Sequence, residues 1–193
     1  MSELLLASGS PRRAELLRQI GVQFVVAPVP IDESPLPGEC AQKYVLRMAV
    51  EKSQAAERCF GSRAILTADT TVAVDGQILG KPGSQDEARA LLARLSGRSH
   101  QVLSAVCLTA AGRSESRFSA TTVTFAALSE SVIERYLRCG ESMDKAGGYA
   151  IQGAAAAFVE AIEGSYSGVV GLPLQVTCEL LDAFAIPYWS RLS

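Results

Sequence analysis

One histidine, His100, stands in 193 residues, so no histidine-built metal centre can form. The five cysteines (Cys40, Cys59, Cys107, Cys139 and Cys178) include no C-x-x-C pair, and their number is odd. That suits reduced thiols in a cytoplasmic protein better than a disulfide framework or a zinc site. No apolar run reaches the length of a membrane span, and the N-terminal run is too short and lacks the basic flank of a signal peptide. A basic excess is also missing: the net charge of −2 argues against general nucleic-acid or membrane-surface binding, so any positive charge that matters is local. Neither G-x-x-x-x-G-K-[ST] nor G-x-G-x-x-G occurs in its glycine-rich turns, which disfavours a P-loop or Rossmann phosphate site. What is present is 48% hydrophobic residues, ample for a core, and the expectation is a single domain over residues 1–193.

Strands and helices alternate, which predicts an α/β fold. Strands are expected at Leu4–Ala7, Gln23–Ala27, Ala64–Val74, Gln77–Leu79, His100–Ala110, Ser116–Phe125 and Phe158–Ile162. Helices are expected from Pro11 to Ile20, over Ala41–Cys59, after the capping box Ser84-Gln85-Asp86-Glu87, over Ser129–Cys139 and over Pro173–Phe184. Asp75-Gly76 reads as a two-residue hairpin turn pairing Val74 with Gln77.

Several charges sit where local rules disfavour them. Ser10-Pro11 reads as an N-cap with proline at the first helical position, which puts Arg12 and Arg13 in the first turn, at the positive end of the helix dipole. A bound polyanion would resolve that placement, because helix N–H groups, the hydroxyls of Ser8 and Ser10, and two guanidinium forks together suit a phosphate. Asp69 lies within an apolar strand, where it is either structurally paired or serves as a base or metal ligand. The hairpin brings Lys81 opposite Thr70, beside Asp69, with its face left open by Gly80 and Pro82. Lys52 falls four residues after Met48 on a helical apolar stripe, so its stem is covered; snorkelling to solvent is the simpler reading of the spacing alone. Glu33 lies in a loop stiffened by Pro30 and Pro35. Asp144–Gly148, with Ile151-Gln152-Gly153, and Gly164–Gly168 with Gly171-Leu172-Pro173 are glycine-flanked segments that let backbone approach a ligand. The inventory favours metal-assisted hydrolysis of a nucleoside phosphate.

Ser8-Gly9-Ser10-Pro11-Arg12-Arg13, Glu51-Lys52, Ala68-Asp69-Thr70, Gly80-Lys81-Pro82, Leu95–His100, Asp144–Gly147, Tyr149–Gly153 and Gly164–Pro173 occur in the order found in Maf-type nucleotide pyrophosphatases, and the chain resembles their dTTP/UTP branch. The resemblance implies a long mixed sheet wrapped by helices, with two lobes around a central cleft, similar to inosine triphosphate pyrophosphatases. It implies cleavage of a nucleoside triphosphate to monophosphate and pyrophosphate with Mg²⁺ or Mn²⁺, and a homodimer. It makes Asp69 the proton acceptor and assigns metal and phosphate binding to Glu33, Lys52 and Lys81, with Glu33 and Asp69 on the metal. Arg12, Thr70 and Gln152 mark the pyrimidine branch, Gln152 being suited to a base edge. Arg12 and Arg13 are expected to hold the triphosphate. Thr67, Ser104, Gly148 and Ala150 depart from the usual pattern, and Thr67 is expected to add bulk behind Asp69. Alternatives of other kinds are a nucleotide-sensing regulator of cell division without turnover and, within the enzymes, a modified-purine substrate.

Overall fold

The computed structural model describes residues 3–189. Its strands are β1 (Leu4–Leu6), β2 (Phe24–Val26), β3 (Ile65–Val74), β4 (Gln77–Leu79), β5 (Ser99–Ala110), β6 (Arg113–Phe125) and β7 (Val159–Glu163). Its helices are α1 (Pro11–Gln19), α2 (Ala41–Phe60), α3 (Gln85–Leu95), α4 (Glu130–Leu137), α5 (Tyr166–Val170) and α6 (Leu174–Ala183). Single 3-10 turns occur at Ala146–Gly148 and Ala154–Phe158. The strands form one mixed sheet in the order β2-β1-β3-β5-β6-β7, with β4 also on β3. Strands β1, β2 and β3 run parallel, and the remaining pairs are antiparallel.

The period-two pattern of β3 divides its residues between the two faces of the sheet. Leu66, Ala68, Val72 and Val74 join the larger core with α1, α3, α4 and α6. Ala73 faces the opposite side, where Tyr44, Val45, Met48 and Ala49 of α2 cover it together with Leu103, Ala105 and Cys107. Asp69 therefore points toward α2 and its neighbour Thr70 toward α1.

The edge of β3 is shared by two short strands. β1 pairs with it only at Ile65 and Leu66, and β4 only at Val72 to Val74. Between them, residues 67–71 have no strand partner on that side, and the gap becomes the mouth of a cleft. The Asp75-Gly76 turn has the expected register, Val74 opposite Gln77, and both turn residues adopt positive φ (52° and 74°), as a type I′ turn demands.

Some local expectations needed correction. β6 begins at Arg113, three residues before the expected Ser116, after a turn at Ala111-Gly112. Ser10 occupies the N-cap of α1 without a side-chain bond; the Ser8 hydroxyl instead accepts the Ser10 N–H at 3.3 Å. Ser129 likewise caps α4 in position only, whereas Ser84 does accept from the Glu87 N–H. All five cysteines are free thiols. Among the described residues, no helix is long and apolar enough to cross a membrane.

Candidate active site

A cavity of about 620 Å³ opens across the unpaired stretch of β3 and is lined from both faces of the sheet. Asp69, Lys52 and Tyr44 line it on the α2 side, and Thr70, Tyr149 and Gly171 on the other.

At its centre lies a three-membered charge cluster. The Lys52 Nζ is 2.7 Å from Asp69 Oδ1 and 2.6 Å from Glu33 Oε1. Lys52 and Asp69 are nearly enclosed, with side chains 11% and 9% exposed, while Glu33 keeps 43%. The snorkelling alternative for Lys52 is thereby overturned, because the ammonium stays inside. Lys81 reaches the cluster through Glu33 Oε2 at 3.7 Å rather than through Asp69. Burial pushes the Asp69 carboxyl above the usual range, opposed by the charges of Lys52 and Arg13. Burial also disfavours charge on Glu33, but contact with Lys52 and the nearby Lys81 outweighs it and leaves that carboxyl below its ordinary value.

Two sets of contacts bring these groups together. Helix α2 is tied to the sheet on either side of Lys52: Thr67 donates to the Ala49 carbonyl at 2.7 Å, and the Ser53 and Thr109 hydroxyls meet at 2.7 Å. Thr67 thus anchors a helix instead of crowding Asp69 from behind. The loop bearing Glu33 is fixed by Tyr44, which donates to the Glu33 carbonyl at 2.9 Å, and by Arg47, which forks onto Glu39 and also donates to the Ser34 carbonyl. Neither Tyr44 nor Arg47 was legible as a site residue. Tyr44 lies on the apolar face of α2, and no motif singles out its i,i+3 neighbour Arg47.

Arg13 makes bonds that its expected role as a triphosphate ligand does not include. Its guanidinium donates to the carbonyls of Ala68 (2.8 Å) and Gly171 (2.9 Å), to Ser8 Oγ (3.1 Å) and to Thr70 Oγ1 (3.4 Å). It joins α1, β3 and the turn after α5, so it is a bracket more than a free phosphate fork. Arg12 lines the cavity and enters none of the ion pairs among the described residues. Thr70 is part of a directed chain: Ser104 donates to the Gly168 carbonyl at 2.7 Å, so Thr70 donates to Ser104 across 2.7 Å and accepts from Arg13. Ser8 is buried and faces the cavity.

Gln152 is exposed and does not line the cavity, although Ala150 and Ile151 do; the described geometry does not bring it to the cluster. The same segment contributes Lys145, a wall residue paired with Asp144, to which the sequence reading gave no role. Gly147 and Gly148 both have positive φ (71° and 74°), so glycine at the departing position 148 suits the backbone there. Ser165 caps α5 and Tyr166 is exposed; neither lines the cavity.

His100 is structural, as expected. It is 2% exposed and packs edge-on against Phe125, while its Nε2 lies 2.8 Å from the hydroxyl of the wall residue Tyr149. Its Nδ1 has no partner among the described residues, and burial pushes its pKa down to about 4. An unfolded histidine titrates near 6.5, so the unfolded chain takes up the proton first. Stability from this group is complete above about pH 6.5 and lost as pH falls toward 4, by about 3 kcal/mol in all. Urea midpoints at pH 7, 5.5 and 4 should show this loss, and His100→Gln should flatten it.

Comparison with known proteins places these features in context. The family model described as Maf-like protein matches residues 3–184. A dTTP/UTP pyrophosphatase of Alcanivorax borkumensis is 54% identical over 188 residues, covering 96% of this chain and 97% of the relative. One from Hahella chejuensis is 50% identical, covering 97% and 94%. Among solved structures, the Staphylococcus aureus Ham1 protein matches with a TM-score of 0.47 and 16% identity, over 64% of this chain and 72% of that one.

Proposed function

This chain belongs to the Maf family, and from that premise we propose that it hydrolyses dTTP and UTP to the monophosphate and pyrophosphate as a single cytoplasmic catalytic unit. The observation that carries the reading is the Glu33–Lys52–Asp69 cluster, set at the open edge of β3 inside a cavity walled by Arg12 and Lys81. Near-full-length relatives named for that reaction support it.

The chemistry follows from the placement. Asp69 is held against Lys52 in a low-dielectric pocket, where its raised proton affinity suits a general base that takes a proton from water attacking the α-phosphorus. Lys52, Lys81 and Arg12 offset the charge that develops on the phosphate oxygens and on the leaving pyrophosphate. Both carboxylates converge on one point, 2.6 and 2.7 Å from the same ammonium, and so present hard oxygen donors to a shared position. That donor set fits Mg²⁺ or Mn²⁺ held by Glu33 and Asp69, with substrate phosphates and water completing the shell. When bound, the ion supplies Lewis-acid polarisation of the phosphates. Thr70, fixed by Arg13 and Ser104, helps shape the base pocket. Gln152 would read the base only if its segment moved over the cleft.

Pyrophosphate release from a panel of pyrimidine and purine triphosphates with Mg²⁺ or Mn²⁺ tests the proposal. The expected result is release from dTTP and UTP in preference to purines. Binding without release from any nucleotide would favour a sensor instead. Light scattering on the same sample tests the homodimer.

A further inference from the structure

We infer that Lys52 is the resident counter-ion of the Glu33–Asp69 pair, and that a divalent cation joins the site together with the nucleotide and not before it. This rests on the nucleotide reading above for its second half; the first half stands on the cluster alone.

The ammonium of Lys52 already occupies the point on which both carboxylates converge, at 2.6 and 2.7 Å. It is no mobile surface lysine. Its side chain is 11% exposed, and buried hydroxyl ties at Ala49 and Ser53 hold α2 on the sheet to either side of it. A cation seeking the same oxygens must therefore displace a charge that is held in place.

The wider wall opposes a lone cation too. Asp144 and Lys145 pair with each other. That leaves Lys52, Lys81, Arg12 and Arg13 facing only Glu33 and Asp69. A divalent ion entering this surplus of positive charge is repelled, and repulsion inside a partly enclosed cleft is screened less than in water. A triphosphate reverses the balance. Its oxygens give Lys52 and Lys81 new partners, release the two carboxylates, and supply the remaining ligands that two carboxylates alone do not provide. Lys52 then exchanges carboxylate contacts for phosphate contacts without leaving the site.

The test is a Mn²⁺ titration of the full-length protein, followed by calorimetry and by the electron paramagnetic resonance signal of free Mn²⁺. The wild type alone should show no saturable binding below about 1 mM, while Lys52→Met, which keeps the stem and removes the charge, should bind Mn²⁺ about tenfold tighter or more. Lys52→Gln serves the same purpose if circular dichroism shows the methionine variant unfolded. With an α,β-imido analogue of UTP, which cannot be cleaved at that bond, the wild type should take Mn²⁺ into a ternary complex. By linkage, Mn²⁺ should also tighten analogue binding.

Saturable Mn²⁺ binding by the wild type alone at micromolar concentration overturns the inference, whatever the nucleotide does. Absence of any gain in the folded Lys52 variants overturns it as well. An analogue that fails to bind with or without Mn²⁺ overturns the nucleotide reading, while a gain in the Lys52 variants still establishes the counter-ion.

Discussion

Asp69→Asn is expected to lower turnover of dTTP and UTP by about three orders of magnitude, within the range that a positioned general base contributes. Nucleotide binding should be retained. The substitution is nearly isosteric, and an amide oxygen can still accept from Lys52, which also keeps Glu33 as a partner at 2.6 Å. What is lost is the charge and the capacity to take a proton in a site where burial makes that proton welcome. The outcome separates two roles. If Asp69 served only to hold Lys52 in place, the asparagine would preserve that contact and turnover would persist. Pyrophosphate release measured beside calorimetric nucleotide affinity decides the matter. A loss of binding equal to the loss of turnover would point to folding or charge balance and remove Asp69 from the role of base.

Arg13→Lys should be the most damaging charge-conserving change in the protein. The guanidinium fork donates in different directions to Ala68, Gly171, Ser8 and Thr70. A lysine ammonium is a single point on a flexible stem and cannot span acceptors on α1, β3 and the turn after α5. Leaving partly buried carbonyls without donors costs about 2–4 kcal/mol, which for a chain of this size lowers Tm by about 4–16 °C. The functional cost should be larger than the stability cost suggests. Arg13 grips the carbonyl immediately before Asp69 and the hydroxyl of Thr70 immediately after it, so both faces of the site shift together. Misplacement of that kind lowers kcat/KM by about a hundredfold. Wild-type activity in Arg13→Lys would show that only charge is needed at this position.

Much of this architecture was legible because the signals were local. The Asp75-Gly76 turn names its own register, so the pairing of Val74 with Gln77 needs no knowledge of the rest of the chain. Asp69 stood out because a carboxylate in an apolar strand violates a rule that few structural reasons can excuse, and it duly meets a lysine. The hidden parts depend on groups without a side-chain signature. The acceptors of Arg13 on Ala68 and Gly171 are backbone carbonyls, so a helix-start arginine looked like a phosphate ligand when its nearest task is to join three elements. Likewise, Glu33 is positioned by a tyrosine that periodicity places on an apolar face and by an arginine that no motif singles out. Helix α5 and the two 3-10 turns are too short to show an apolar period. Gln152 shows the opposite limit: its place in a motif says nothing of where the segment's backbone carries it.

The bracket formed by Arg13 also bears on how the protein comes into being. Its partner Gly171 lies 158 residues downstream. Chains emerge from the ribosome N-terminus first, so the guanidinium is made well before that acceptor. Until Gly171 is made, Arg13 has only its acceptors on Ser8, Ala68 and Thr70, and the pocket lacks part of its wall. A chain stalled short of Gly171 would lack both that acceptor and helix α6 of the larger core, so the site closes only after every strand from β1 to β7 has been made.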